Sequence, residues 1–263
     1  MMCAMPLDNP ARELEAFRRD GFRVARALAS PERVGALRKL AKRHLDEEIG
    51  PAEYEADLHY PGAPLSRDAP GGGTTRRLLQ ACGRDPLFRD WALSREVGAR
   101  LRQLLGAPVM LSQSHHNCVM TKQPRYSSLT GWHQDIRYWS FERPELISVW
   151  LALGREAPEN GCLWLLPGSH TMAFAPARLD QRQFLREDLP ENQALIATRV
   201  AQPLEPGDAL FFHCRTFHAA GSNRTEQVKL SLVFTYHAAD NHPLPGTRSA
   251  ALPSIAVSSG RSE

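Results

Sequence analysis

The sequence predicts a mainly β domain, a jelly roll with α-helices attached on its N-terminal side. Two observations carry this. From Val109 to about His237, short apolar or alternating runs recur, each closed by Gly, Pro, Asn or Asp. Ahead of Gly106 the apolar residues recur at the three- and four-residue spacings of a helix. A chain of 263 residues, 42% hydrophobic and 23% charged, is sufficient for one domain with a sizeable core. The net charge of +3 is too small for the basic footprint of a nucleic-acid binder. No apolar stretch approaches the length of a membrane span.

The first helix opens at Pro10, spaces Leu14 and Phe17 three apart, and stops at Gly21. A second opens with Ser30 as cap and Pro31 in the first turn, and carries the stripe Val34, Leu37, Leu40, Ala41 and Leu45. Residues 68–75, with Pro70 and three glycines from Gly71, form a loop. A further helix covers 86–105 and ends at Gly106. Strands are expected over 109–121, 132–139, 147–153, 162–166, 195–200, 209–213 and 228–236. The polar segment 178–192 is expected as an excursion over one end of the sheets, and the polar tail beyond Ser258 is expected to be disordered. The implied architecture is a double-stranded β-helix, a cupin-like jelly roll. It forms one domain: a helical part at about 10–106, a β core at about 107–240 and an irregular tail.

Cys3, Cys82, Cys118, Cys162 and Cys214 form no close pairs and no zinc spacing. They are expected as free thiols, with Cys162 and Cys214 buried in apolar runs. Residues 1–8 lack the basic start and apolar core of a secretory signal. Both features suit the reducing cytoplasm.

The chemistry concentrates at Gly131-Trp132-His133-Gln134-Asp135-Ile136-Arg137-Tyr138-Trp139. On an extended strand, residues two apart share a face, so His133 and Asp135 project into one cavity. Two imidazoles and one carboxylate on one face of a metal leave the opposite positions open, the arrangement of non-haem Fe(II) oxygenases. A lone His-x-Asp is common by chance, and a second histidine must come from another strand. His213 and His218 compete; five positions apart, they would face opposite ways on one regular strand. His115 and His116 are adjacent, so only one of them faces the cavity. Arg137 and Trp139 continue the ligand face, placing a cation and a flat apolar surface near the metal, which suits a substrate with an anionic group.

Downstream lie Leu146-Ile147-Ser148-Val149-Trp150-Leu151, then Glu159-Asn160-Gly161-Cys162-Leu163-Trp164-Leu165-Leu166-Pro167-Gly168-Ser169-His170, then Pro206-Gly207-Asp208 leading to Phe217-His218-Ala219-Ala220-Gly221-Ser222-Asn223-Arg224-Thr225. In this order, with the His-x-Asp ahead of them, these pieces resemble the phytanoyl-CoA dioxygenase family of Fe(II)/2-oxoglutarate-dependent oxygenases. The resemblance covers about residues 111–237, with a weaker part at 75–88. It implies the double-stranded β-helix fold, Fe(II), 2-oxoglutarate as cosubstrate, O2 and a small-molecule substrate. It selects His218 as the distal ligand, leaving His213 in the core. Related halogenases replace the carboxylate with a small residue; Asp135 is retained here, which implies hydroxylation, or another oxidation begun by hydrogen abstraction, rather than halogen transfer. The family's usual arginine for the distal carboxylate of 2-oxoglutarate falls on Lys229, with Arg224 in the preceding turn as the rival. Trp150 matches a position lining the cosubstrate pocket, and Arg77 an upstream basic contact. The lysine in place of arginine is also the one feature favouring a catalytically silent binding protein.

Overall fold

The computed structural model describes residues 10–258; Cys3, the segment 1–8 and the tail beyond Ser258 lie outside that range. Helix α1 (Pro10–Asp20) buries Phe17 and stops at Gly21, whose φ is 84°. A Cβ at Gly21 would lie 2.5 Å from both His170 Nδ1 and Thr216 Oγ1, so the position needs glycine for its conformation and for close approach. After β1 (Phe22–Ala25), Ser30 caps α2 (Pro31–Asp46) by accepting the Arg33 N–H at 3.3 Å. The predicted stripe Val34, Leu37, Leu40 and Ala41 is buried. Strands β2 (Ala52–Tyr54) and β3 (Thr75–Leu79) and the short α3 (Ala81–Arg84) follow. The helix expected over 86–105 is two, α4 (Pro86–Ala92) and α5 (Arg95–Leu105). Ser94 makes the break: its hydroxyl accepts the Val97 N–H at 3.4 Å and starts a new helix.

The β part comprises β4 (Val109–Lys122), β5 (Thr130–His133), β6 (Leu146–Ala152), β7 (Leu163–Leu165), α6 (Pro190–Ala197), β8 (Val200–Gln202), β9 (Ala209–His213), β10 (His218–Ala220), β11 (Lys229–Ala238) and β12 (Ile255–Ala256). Two expected strands are corrected. The run 132–139 leaves the sheet after His133 and turns through a 3-10 helix, Asp135–Tyr138. Its partner β10 begins at His218 opposite His133, so the ladder ends there, and the Ile136 N–H turns to the Cys214 carbonyl at 3.1 Å. The run 195–200 divides between α6 and β8: Pro190 starts the helix, and Thr198 closes it by donating its N–H (3.0 Å) and hydroxyl (2.7 Å) to the Leu195 carbonyl.

Among the described residues the larger sheet runs β1-β9-β6-β11-β4-β3-β2, with β12 added beside β4; the smaller runs β5-β10-β7-β8. All the pairings are antiparallel, and the two sheets form the double-stranded β-helix. Strands β6 and β11 are buried along their whole length because both faces are covered. One face, with Ile147, Val149, Leu151, Leu230, Leu232 and Phe234, packs with residues of the N-terminal helices. The other carries Ser148, Trp150, Lys229 and Ser231. Polar groups at buried, period-two positions mark a cavity between the sheets.

Candidate metal centre and its cavity

The antiparallel register of β5 and β10 sets His133 opposite His218, so their imidazoles share a face with ring centroids 4.2 Å apart. Asp135 joins them from the 3-10 turn rather than from a strand. One ligand atom from each residue lies within 4.8 Å of the others. Asp135 Oδ1 is 3.9 Å from His133 Nε2 and 3.7 Å from His218 Nε2. The other ring nitrogens are already used: His133 Nδ1 faces the Gly131 carbonyl at 2.8 Å and His218 Nδ1 the Thr216 carbonyl at 3.1 Å. A carbonyl only accepts, so each Nδ1 carries the proton and each Nε2 lone pair is free for a metal. Burial, the neighbouring His218 and Arg137 hold the His133 ring well below the usual histidine range, which keeps it neutral. The Ser148 hydroxyl donates to Asp135 Oδ2 at 3.3 Å and steadies the carboxylate. This donor set fits Fe(II).

His213 sits elsewhere, at the end of β9. Its Nδ1 accepts the Arg215 N–H at 3.1 Å, and its ring packs on His170 at 5.3 Å. The two competing histidines occupy different strands joined by a turn. The expectation that only one of His115 and His116 reaches the cavity is corrected, since both line it. Between the pairs Phe234–Asn117 and Thr235–Ser112, residues 113–116 of β4 have no counterpart on β11. The bulge breaks the alternation. His116 Nε2 lies 3.5 Å from Asp135 Oδ1, and His115 donates or accepts a hydrogen bond with Ser249 Oγ at 2.9 Å while stacking on Trp139.

The triad opens on a cavity of about 560 Å³, well within the range of small-molecule sites. Its inner end is a buried charge cluster. Lys229 Nζ donates to Glu156 Oε2 at 3.1 Å and Ser231 Oγ at 3.3 Å. Glu156 also accepts from Trp150 Nε1 at 2.9 Å and from the Ser231 hydroxyl at 2.6 Å. Lys229 and Glu156 thus form a closed pair, and Trp150 is the residue that orients its acid. Directly across the sheet, Lys122 is the register partner of Lys229. Lys122 Nζ is buried and donates to the Ser128 carbonyl at 2.6 Å. Burial, with Arg76 and Lys229 nearby, pushes its pKa down to about 7. Arg76 is tied to Glu55 at 3.2 Å and Thr130 at 3.0 Å, and Arg77 grips Glu53 with two bonds of 2.7 and 2.8 Å. Arg224 is exposed in the turn before β11 and does not line the cavity.

At the outer end, Arg137 and Trp139 line the cavity from the 3-10 turn and the residue after it. Arg137 stacks its guanidinium over Phe184 at 4.1 Å and donates to the Arg182 carbonyl at 2.8 Å. The excursion 178–192 is therefore part of the site: Phe184 bridges to His133, and Leu185 N–H donates to the Trp132 carbonyl at 2.9 Å. Lys122, Glu156, Arg182 and Arg248 are site residues that sequence reading passed over. The signal for Lys122 was weak but present: an isolated charge at the end of a long, mostly apolar or alternating strand.

The family model described as phytanoyl-CoA dioxygenase (PhyH) matches residues 17–231. A probable phytanoyl-CoA dioxygenase of Caenorhabditis elegans is 26% identical over 170 residues, covering 60% of this chain and 53% of that protein. The ectoine dioxygenase of Stutzerimonas stutzeri (strain A1501) is 25% identical over 248 residues, covering 88% of this chain and 78% of its own. The chain thus spans about half the length of the first relative and over three quarters of the second. Among solved structures, the epimerase SnoN in complex with Fe3+, alpha ketoglutarate and nogalamycin RO superposes with a TM-score of 0.72 at 24% identity, covering 95% of this chain and 96% of that one.

Proposed function

The chain belongs to the phytanoyl-CoA dioxygenase family of Fe(II)/2-oxoglutarate-dependent dioxygenases, and on that premise we propose that it hydroxylates an unactivated C–H of a small molecule. The stoichiometry is substrate, 2-oxoglutarate and O2 in; hydroxylated substrate, succinate and CO2 out. Iron, 2-oxoglutarate and O2 supply the oxidising power when bound. His133, Asp135 and His218 hold the metal, and the protein's remaining work is positioning and exclusion of water. Asp135 carries this reading. It is buried at 3% exposure, held by Ser148 and set beside both histidines, so the coordination position a halogenase would free for halide is filled.

The distal carboxylate of 2-oxoglutarate belongs, in this reading, at the inner cluster, between Lys122 and Lys229. A buried carboxylate needs a cationic partner. Lys229 already has Glu156, so Lys122, with a single protein acceptor, supplies the free donors. Arg77 and Arg224 are poorer anchors, one engaged by Glu53 and the other outside the cavity. Among the described residues no helix is long and apolar enough to cross a membrane. Cys82, Cys118, Cys162 and Cys214 are buried free thiols, which supports the cytoplasm as the protein's compartment.

SnoN, of the same fold, is an epimerase, so the outcome of C–H cleavage is what needs testing. Turnover under 18O2 with the protein's substrate, found by screening for succinate release, should give a product carrying one labelled oxygen. A product of unchanged composition and inverted stereochemistry would replace hydroxylation by epimerisation.

A further inference from the structure

A dioxygenase of this family could act on many kinds of small molecule; the charges around the cavity narrow the class. Of the basic side chains lining the cavity, Arg76, Arg77 and Lys229 each face a protein carboxylate. Lys122 balances the distal carboxylate of the cosubstrate. With a divalent metal, Asp135 and the two negative charges of 2-oxoglutarate, the inner half of the site then comes close to neutral. Arg137, Arg182 and Arg248 are left over at the outer end. Glu53 and Asp135 are the only acids lining the cavity among the described residues, and both are engaged. Asp180, close by in sequence, gives its Oδ1 to the backbone N–H groups of Arg182 and Phe184, each at 2.8 Å.

We propose that the substrate is an anion, held through a compact oxyanion (carboxylate, phosphate or phosphonate) by Arg137 and Arg182, with Arg248 facing them near Trp139. This rests on the dioxygenase reading and adds the substrate class. Several details make the outer end a built site. Arg137 Nε is buried and has no hydrogen-bond partner, a donor that an incoming acceptor would satisfy. Its guanidinium is clamped between rings, 4.1 Å over Phe184 and 4.4 Å over Tyr138, so its fork is oriented in advance. Arg182 lies 4.8 Å over the Tyr60 ring, and Tyr60 lines the cavity beside Arg137. Arg248 is adjacent to Ser249, whose hydroxyl binds His115, and His115 stacks on Trp139 at 4.9 Å. Arg137 stands two residues from Asp135 on the same 3-10 turn. An oxyanion bound there places the carbons next to it beside the metal ligands, and Trp139 gives them a flat apolar wall.

The test uses the anaerobic Fe(II) protein saturated with 2-oxoglutarate, titrated calorimetrically with matched pairs: phenylacetate against phenylacetamide, hexanoate against hexanamide, phenyl phosphate against phenol. At least one anion should bind on the order of tenfold more tightly than its neutral partner, as charge-assisted hydrogen bonds require. The preferred oxyanion in that set separates carboxylate from phosphate recognition. The double variant Arg137→Gln, Arg182→Gln should erase the preference while the affinity for 2-oxoglutarate stays within about threefold. Arg248→Gln alters an exposed turn residue without disturbing packing and should weaken the same anion by a smaller factor. Equal binding of anions and neutral partners, no binding by any anion, or a loss in the double variant that falls on 2-oxoglutarate instead would each overturn the proposal. Anion preference without any 2-oxoglutarate binding would spare the anion site and sink the dioxygenase reading.

Discussion

Replacing His218 with alanine should abolish succinate formation and weaken Fe(II) binding by more than about a hundredfold. Loss of a residue that merely supports a ligand costs roughly ten- to a hundredfold in metal affinity, and His218 supplies one of the three ligand groups gathered here among the described residues. His133→Ala and Asp135→Ala should match it. His213→Ala is the control. It removes a half-buried ring that accepts the Arg215 N–H and packs on His170, so it should lower stability by about 1–3 kcal/mol and leave iron affinity alone. Activity surviving in His218→Ala and lost in His213→Ala would move the distal ligand from β10 to β9.

The second large effect concerns Lys122. Lys122→Met should raise the dissociation constant for 2-oxoglutarate by about ten- to a hundredfold, the equivalent of roughly 1.5–3 kcal/mol for a charge-assisted hydrogen bond. Lys229→Met is a poorer probe: it leaves Glu156 buried and unpaired, and breaking such a pair costs about 3–5 kcal/mol of stability. The double variant Lys229→Met, Glu156→Gln removes both charges and isolates the effect on the cosubstrate. Lys122 also imposes a pH signature. With its pKa lowered to about 7 by burial and by the neighbouring cations, the free site is largely neutral at pH 8, and binding a carboxylate draws a proton onto the amine. Calorimetry in buffers of different ionisation enthalpy should record uptake of close to one proton at pH 8 and little at pH 6. The affinity should weaken as pH rises above 7, by at most about tenfold per unit, and Lys122→Met should remove the dependence. In the free protein the same shift means that the unfolded chain binds the extra proton between about pH 7 and the ordinary lysine range, so stability rises with pH across that window. Proton uptake unchanged in Lys122→Met would place the anchor elsewhere.

Helices α1 and α2, strands β4, β6, β7, β9 and β11, and the pair His133 and Asp135 were legible because each depends on local periodicity, caps or a short spacing, whereas His218 was singled out from His213 only by the family resemblance. The reason His133 and Asp135 converge was not legible. An alternating pattern from Trp132 to Trp139 looks like one strand, but β10 offers a partner only as far as His133, and the chain satisfies its amides by turning. For the same reason Arg137 and Trp139 line the cavity from the turn and not from a strand face. Adjacent histidines at 115 and 116 read as opposite-facing until a bulge, set by the pairing of β4 with β11, lets both reach the cavity. Glu156 was invisible for a different reason. Its partners Lys229 and Ser231 lie far along the chain, and only the sheet register brings them together. Lys229 was legible, through the resemblance, as a cation expected near the cosubstrate, and it lines the cavity; its pairing with Glu156 was not legible.

The central claim is that His133, Asp135 and His218 hold an iron whose remaining positions accept 2-oxoglutarate. Its most direct test is the visible spectrum of the anaerobic Fe(II) protein with 2-oxoglutarate added. Chelation by the 2-oxo acid should produce a weak charge-transfer band that saturates with the cosubstrate and is absent from Asp135→Ala. Iron binding without such a band, and without heat on adding 2-oxoglutarate, would contradict the account and leave a jelly-roll metal-binding protein in its place.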